Sequence, residues 1–267
     1  MNLTIVSENL MDVPWIYSWN KRIRQTAREI LKLNPDIISF QEAVFKKTRR
    51  TLENELKGYT MYKGDASEIL IFSKIPIKGY KYEKYKKNGY WYPFSWSDAI
   101  AGKGFQHIKF DFGKEKINLL NTHLIAPYTK FKSKAEFEVI LSQLDQLISY
   151  CKKLKGKLII CGDFNFGTKM MENTHARKDL YKRIKDKLNI LNPLEKEKIN
   201  YFNFRAPFDN KFFQKFLPPL ERYVHVFLKG FEKKKVYQKN VLTEKIDAGN
   251  KKVYPSNHPG ILTKINF

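Results

Sequence analysis

The sequence predicts a mixed α/β fold organised around one hydrophobic core. Short apolar segments with strand character alternate with amphipathic helical segments through most of the chain. The chain has 267 residues, of which 42% are hydrophobic and 29% charged, a composition typical of a folded globular protein. Because neither an internal repeat nor a low-complexity linker divides it, we expect residues 1–267 to form a single domain.

The first part of the chain predicts two strands and two helices. From Ile23 onward, apolar residues recur at i, i+4, i+7 and i+8, the spacing of one helical face. Pro35 ends this helix because a proline disfavours helical backbone in the residue before it. The second helix buries Leu52 and Leu56 and stops at Gly58. In chain order the elements are a strand at Leu3–Val6, a helix at Asn20–Leu33, a strand at Asp36–Phe40 and a helix at Lys46–Lys57.

The rest of the chain continues the alternation. A long helical pattern covers Lys134–Lys153, and a basic helix follows at Arg177–Leu188. The long helix turns seven residues inward: Phe137, Ile140, Leu141, Leu144, Leu147, Ile148 and Cys151. The remaining predicted strands are Ile69–Ser73, Phe105–Phe110, Ile117–Asn121, Leu158–Cys161, Tyr223–Leu228 and Ile261–Ile265.

The chain is strongly basic, with 50 Lys and Arg against 27 Asp and Glu and a formal net charge of +23. Such a charge is typical of proteins that bind polyanions, either nucleic acid or a membrane rich in anionic lipid. A lysine-rich genome acting on an ordinary surface is the other explanation. Two stretches, Tyr80–Trp96 and Tyr201–Leu220, combine aromatic and basic residues without a clear period. They are interpreted as buried caps on the sheet edge, membrane anchors or base-stacking platforms.

The two cysteines, Cys151 and Cys161, exclude a disulfide framework, and their spacing does not fit a zinc finger. The N-terminus starts with a strand-like pattern rather than a signal peptide. No apolar run reaches the roughly 18 residues that a membrane-spanning helix needs. We therefore expect a cytoplasmic or peripheral membrane protein, with export without a cleavable signal as the alternative, and a monomer by default.

Four short motifs place polar residues at or just after the ends of predicted strands. Glu42 follows the buried strand of PDIISFQEA, and His123 ends the apolar run of INLLNTHL. Asp163 and Asn165 leave the strand of LIICGDFNF, and His258 lies in PSNHPG near the C-terminus. A carboxylate at a strand end is a suitable hard oxygen ligand for Mg²⁺. Each motif alone has an ordinary structural explanation, but their order favours a single site.

The order of these motifs resembles the endonuclease/exonuclease/phosphatase superfamily, which includes pancreatic deoxyribonucleases, abasic-site endonucleases, inositol-polyphosphate 5-phosphatases and neutral sphingomyelinases. The resemblance runs from Asn9 to His258. It implies a four-layer α/β/β/α sandwich, in which two mostly antiparallel sheets pack face to face with helices outside.

Within the superfamily, the sequence is most similar to the neutral sphingomyelinases. The segment SDAIAGKGF (Ser97–Phe105) resembles the Asp-Ala-x-Ala-x-Lys-Gly segment of that group. NTHLIAP, the SQLDQLI that begins at Ser142, and QEAVFKK (Gln41–Lys47) also resemble its motifs. The resemblance implies hydrolysis of a phosphodiester, giving ceramide and phosphocholine if the substrate is sphingomyelin, at the surface of an anionic membrane.

The resemblance also implies a metal ion and a general base. Glu42, with help from Asn9, holds Mg²⁺, or Mn²⁺ as the alternative, against a phosphate oxygen. The metal neutralises the charge that develops in the transition state. His258 takes the proton of the attacking water, a role that suits an imidazole.

The remaining site residues follow from the same resemblance. Asp163 orients the attacking water or the base, and Asn165 and His123 donate hydrogen bonds to the phosphoryl oxygens. Lys103 supplies positive charge near the leaving group, or exchanges partners with Asp98 as a switch.

Three positions depart from the family pattern. The usual Ser/Thr-Asp-His is Ser-Asn-His here, with Asn257 in place of the acid. The Ile-Asp-Tyr motif has no clear match, and Val224 or His225 stands nearest to its acid. Glu68 stands where a glycine is expected. Two carboxylates are candidates to replace the missing acid in space, Asp247 and Glu221.

Two other functions remain open at this stage. One is a Mg²⁺-dependent nuclease acting on DNA or RNA, for which the net charge is a suitable electrostatic footprint. The other is a catalytically impaired homologue that binds phosphorylated ligands.

Overall fold

The structure is a computed structural model that describes residues 1–12, 19–65, 67–89, 102–127, 133–167, 175–195, 223–249 and 251–267, with the backbone alone for 175–179. Two sheets lie face to face with helices on their outer sides, which confirms the four-layer α/β/β/α sandwich. The helices described are α1 (Trp19–Lys32), α2 (Lys46–Glu55), α3 (Lys134–Lys152) and α4 (His175–Leu188). Among them, none combines the length and hydrophobicity that crossing a bilayer requires.

The described strands follow one another along the chain as β1 (Asn2–Asn9), β2 (Ile37–Gln41), β3 (Thr60–Lys63), β4 (Leu70–Ser73), β5 (Gly79–Lys84), β6 (Gly104–Phe112), β7 (Glu115–His123), β8 (Lys157–Asp163), β9 (Val224–Lys229), β10 (Val236–Val241), β11 (Ile246–Asp247), β12 (Lys252–Val253) and β13 (Gly260–Asn266). One sheet has the order β10-β13-β1-β2-β4-β3 and the other β5-β6-β7-β8-β9, while β11 pairs with β12 alone. In the large sheets β1 runs parallel to β2 and β7 parallel to β8, and the other described pairs are antiparallel.

Hydrophobic side chains fill all three spaces between the layers. Because side chains alternate along a strand, each central strand contributes to two of these spaces. Ile5 and Leu119 lie between the sheets, Ile38 packs under α1 and α2, and Leu120 and Ile160 pack under α3 and α4.

The strands and helices predicted from the sequence are all present, with ends that differ by three residues or fewer. The prediction missed β3, β5, β10 and the short pair β11–β12. It also missed two polar residues that α1 buries beside its apolar face, Arg22 and Thr26. Of the two aromatic and basic stretches, residues 90–96 and 201–220 lie outside the described residues, so the three interpretations of them stay predictions.

The two parallel pairs explain why the polar motifs meet. The carboxyl ends of parallel neighbours lie at the same edge, so Asn9 pairs with Gln41 in one sheet and His123 with Asp163 in the other. Asn121 joins the two edges, because its Nδ2 donates to the carbonyl oxygen of Phe40 at 3.0 Å and its Oδ1 accepts from Gln41 Nε2 at 2.7 Å. The fold thereby brings four strand ends to one place.

Candidate active site

Two carboxylates meet across the sheets at Asn9. Its Nδ2 donates to Glu42 Oε1 at 2.9 Å and to Asp163 Oδ2 at 2.8 Å, and its Oδ1 accepts from the Met11 amide. Asn9 and Asp163 are buried, whereas the Glu42 side chain is 31% exposed. Glu42 is therefore the member of this group that faces the solvent most openly.

The backbone at two of these strand ends has unusual geometry. Glu42 and Asn165 have φ values of +56° and +54°, which residues other than glycine adopt at some cost in energy. At the end of β8, a Cβ on Gly162 would collide with the carbonyl oxygen of Thr122, so β7 and β8 can approach closely only with glycine there. Such strained positions cluster at functional sites, because the surrounding structure must hold them.

His123 lies at the centre of the site and is 2% exposed. Its Nδ1 is 2.7 Å from Glu68 Oε1, and its Nε2 is 3.1 Å from Asn165 Nδ2. Burial lowers the pKa of His123 and Lys103 adds to this effect, but the carboxylates of Glu68 and Asp163 together raise the pKa overall. The imidazole is thus held between a carboxylate and an amide.

Glu68 is the site residue that the sequence did not reveal, since it was noted only as a replacement for an expected glycine. It is buried and also forms a 3.0 Å ion pair with Lys103 Nζ, which contacts both ring nitrogens of His123. Although burial raises its pKa, His123 and Lys103 hold the pKa of Glu68 at about 2. An acidic residue at the start of an apolar strand, in SEILIFS, was the available signal.

Lys103 therefore pairs with Glu68 and His123. The partner expected from the sequence, Asp98, lies outside the described residues, so the proposed exchange of partners stays a prediction.

His258, near the C-terminus, lies beside the Asp163 carboxylate. Its Nε2 is 3.8 Å from Asp163 Oδ2, and its ring contacts the ring of Tyr223 edge to face. Burial by itself raises the pKa of Asp163, but His258 and His123 lower it, so the carboxyl titrates below its usual range. Asp163 is consequently a carboxylate that attracts both imidazoles.

The structure gives no carboxylate role to the residues that stand nearest to the missing Ile-Asp-Tyr acid. Val224 is buried between the sheets, and His225 donates through Nε2 to the Phe166 carbonyl and packs against Phe227. Asp247 is exposed and accepts from the Gly249 amide, and Glu221 lies outside the described residues. Among the described residues, Asp163 is the carboxylate in contact with His258.

Asn165 both closes a turn with Asp163 and contacts His123. Its backbone amide donates to Asp163 Oδ1 at 2.8 Å and so closes an Asx turn. Its Nδ2 donates to the Leu124 carbonyl at 2.9 Å and lies against His123. The turn thus aims both Asp163 and Asn165 toward His123.

The cluster suits a divalent metal ion. One ligand atom each from Glu42, His123 and Asp163 lies within 4.8 Å of the others. Two carboxylates and an imidazole form a donor set for divalent cations, and the partial exposure of Glu42 leaves room for water ligands. Asn9 presents its NH₂ group to both carboxylates and so orients them, and its role as a second ligand stays a prediction.

Of the eight site residues predicted from the sequence, the structure brings seven together, and the eighth is Asp98. The seven are Asn9, Glu42, Lys103, His123, Asp163, Asn165 and His258.

Comparison with known proteins places this arrangement in a family. Residues 13–184 match the model of the Endonuclease/Exonuclease/phosphatase family. Sphingomyelin phosphodiesterase 2 of Mus musculus is 24% identical over 178 residues, which cover 63% of this chain and 42% of that protein. The chain thus spans about two fifths of the length of the curated relatives it matches.

Solved structures share the fold at low identity. Sphingomyelinase C from Streptomyces griseocarneus superposes with a TM-score of 0.68 at 13% identity, covering 100% of both chains. D. rerio TDP2 complexed with a single-strand DNA product superposes with a TM-score of 0.71 at 17% identity, covering 100% of this chain and 99% of that one. At these identities the likeness concerns the architecture alone.

Proposed function

The chain belongs to the endonuclease/exonuclease/phosphatase family, and we propose that it is a metal-dependent phosphodiester hydrolase acting on sphingomyelin. The observation that carries the proposal is the meeting of Glu42, Asp163 and two imidazoles at one edge of the sandwich. Similarity to a mammalian sphingomyelin phosphodiesterase supports the choice of substrate. The products are ceramide and phosphocholine.

Glu42, with Asp163 beside it, would hold the metal ion, with Mg²⁺ as the proposed ion and Mn²⁺ as the alternative. When bound, the ion supplies charge that stabilises the developing negative charge on the phosphoryl oxygens. Asn9 keeps the two carboxylates apart and oriented by donating to both.

His258 is the proposed general base. Asp163, 3.8 Å from His258 Nε2, attracts the proton that the imidazole takes from the attacking water. This contact replaces the acid that is missing beside His258 in the sequence. Asn257 accepts a hydrogen bond from the Ser256 hydroxyl at 3.2 Å.

His123, Asn165 and Lys103 are the proposed donors to the phosphoryl group. Glu68 orients His123 from the side away from Asn165 and compensates the charge of Lys103 in a buried position. Preorganised donors of this kind contribute roughly 10²–10³-fold each to turnover.

The exposed residues next to Glu42 support action at a membrane surface. Val44 and Phe45 are 40% and 38% exposed, and Lys46 and Lys47 follow them directly. Apolar side chains beside lysines suit the interface of an anionic bilayer, where each basic residue contributes about 1 kcal/mol.

A nuclease is the second candidate function. The net charge of +23 supports it, and the neighbour from D. rerio contains a single-strand DNA product. A catalytically impaired homologue is the third candidate, because the acid at Asn257 is absent.

Phosphocholine release from sphingomyelin in mixed micelles tests the proposal, with Mg²⁺ or with EDTA. We expect metal-dependent turnover in the wild type that is lost in Glu42→Gln and His258→Gln and retained in Glu53→Gln, a matched change of an exposed glutamate on α2. Cleavage of DNA or RNA without sphingomyelin turnover assigns the chain to the nuclease branch. Absence of turnover on all three substrates supports the impaired homologue.

A further inference from the structure

Arg22 of α1 joins two chain segments that border the site. The side chain is 1% exposed, and its guanidinium donates to the carbonyl oxygens of Leu10 at 2.8 Å, of Met11 at 2.6 Å and of Pro255. Leu10 directly follows Asn9, and Pro255 lies three residues before His258. One buried cation thus ties the segment after Asn9 to the segment before His258.

Arg49 of α2 joins two further segments, the one after Glu42 and the one before Glu68. Its Nε donates to the Ala43 carbonyl at 3.0 Å, and its Nη2 to the carbonyls of Val44 at 3.2 Å and Ser67 at 2.7 Å. Ala43 follows Glu42, and Ser67 precedes Glu68. The two segments also meet directly, because the Ala43 amide donates to the Glu68 carbonyl at 2.7 Å.

Both arginines act where the backbone is strained. Met11 has φ of +47°, and its own carbonyl accepts from Arg22, while Glu42 has φ of +56° and is followed by the Ala43 carbonyl bound to Arg49. Each such conformation costs about 1–3 kcal/mol and persists only when its surroundings hold it. The planar guanidinium can satisfy several carbonyl oxygens at fixed angles, which a lysine ammonium on its flexible stem does not do.

We propose that Arg22 and Arg49 are positioning residues: Arg22 sets the spacing between Asn9 and His258, and Arg49 sets the spacing between Glu42 and Glu68. Neither touches the reacting atoms. The inference rests on the proposed phosphodiesterase site for its kinetic consequences, but the bridging of the segments is testable without any turnover.

The kinetic test compares Arg22→Ala and Arg49→Ala with Arg28→Ala and Arg50→Ala, exposed arginines on the same two helices. With the soluble diester bis(p-nitrophenyl) phosphate and Mg²⁺, we expect the turnover number to fall about 100-fold in the first pair, as for a displacement of about 1 Å at the reacting centre. KM should change by roughly twofold or less, since substrate binding is retained. Guanidinium ion, below the concentrations that unfold the protein, should restore part of the turnover.

Hydrogen exchange tests the bridging itself. We expect faster amide exchange in residues 10–12 and 256–258 for Arg22→Ala, and in residues 43–45 and 67–69 for Arg49→Ala, with α3 unchanged. Arg22→Lys and Arg49→Lys should recover less than half of the protection, and they serve in place of any alanine variant that does not fold.

The outcomes separate the two proposals. If the variants exchange their amide hydrogens at the wild-type rate in all four segments, the positioning role is overturned, whatever their turnover. Faster exchange in a variant whose turnover number is unchanged also overturns it. The same holds if turnover is lost only in proportion to a lower unfolding temperature and guanidinium ion does not restore it. Faster exchange in the variants, combined with a wild type that hydrolyses neither diester, would reject the proposed function and retain the bridging.

Discussion

The space between the two sheets has an apolar end and a polar end, built from the same four strands. Moving along β1, β2, β7 and β8 toward their carboxyl ends, the inward side chains change from aliphatic to polar. The aliphatic set includes Leu3, Ile5, Ile37, Ile117, Leu119 and Ile159. The polar set includes Ser7, Asn9, Ser39, Gln41, Asn121, His123 and Asp163.

The two ends differ in what makes burial tolerable. At the apolar end, burial itself stabilises the fold at about 25 cal/mol per Å² of apolar surface. At the polar end each buried group needs a partner, and Asn121, for example, bonds to the carbonyls of Phe40 and Leu70 and to Gln41. The apolar end therefore supplies stability, and the polar end uses part of that stability to hold charged groups in place.

We expect the largest effect from a substitution at the polar end that impairs catalysis and leaves the fold intact. Asp163→Asn keeps the shape of the side chain but removes the charge that faces His258 at 3.8 Å. We expect turnover to fall about 10³-fold and the unfolding temperature to fall modestly, because the lowered pKa of Asp163 means that folding favours the charged carboxylate over a neutral group. Phosphodiester turnover and thermal unfolding measure the two effects. Turnover near that of the wild type would remove Asp163 from the mechanism.

The next effect breaks the apolar end and spares the chemistry. Leu119→Ala removes a fully buried side chain from between the sheets, and we expect the free energy of unfolding to fall by roughly 2–5 kcal/mol. Turnover per folded molecule should not change. Urea denaturation measures the loss, with Tyr237→Ala, 55% exposed, as the control. A loss of turnover in the folded fraction would show that the two ends are coupled.

A smaller effect lies at the boundary between the two ends. Asn121→Leu has a similar volume but leaves the carbonyls of Phe40 and Leu70 and the amide of Gln41 without this partner. We expect a loss of roughly 1–3 kcal/mol in stability and, because Gln41 precedes Glu42, a fall in turnover of about tenfold. Denaturation and turnover are measured together on the same preparation. Unchanged turnover would mean that the Gln41 contact does not position Glu42.

The smallest effect is a pH dependence located outside both ends. His107, on the outer side of β6, bonds to Tyr150 and Asn118, and burial, together with Lys109 and Lys81, lowers its pKa. Because the unfolded chain binds this proton more readily, its stability contribution is complete above the ordinary value of about 6.5 and decreases as pH falls through the lower folded value.

We therefore expect the unfolding temperature to fall between about pH 7 and pH 5, and to fall less in His107→Gln, whose side chain does not titrate. Thermal scans of both proteins across this range measure the difference. Parallel curves would assign the acid sensitivity to other groups.

Much of the fold could be predicted because buried elements carry regular apolar patterns. The central strands and all four described helices were predicted from their period, whereas β3, β5 and β10 were missed. Those three strands form sheet edges, and half or more of their residues are partly or fully exposed. These exposed strands lack the apolar run that marks a buried strand, whereas β9, also at a sheet edge, is buried over most of its length and was predicted.

The sequence by itself determined which strands end in polar residues, since His123, Asp163 and Glu42 follow apolar runs that can be read directly. The tertiary structure decided which of these groups face each other. Glu68 pairs with His123 only because β4 and β7 belong to sheets that pack face to face. Burial favours the pairing of the charged groups at this site, but the partner is set by the register and approach of distant segments, which spacing along the chain does not encode.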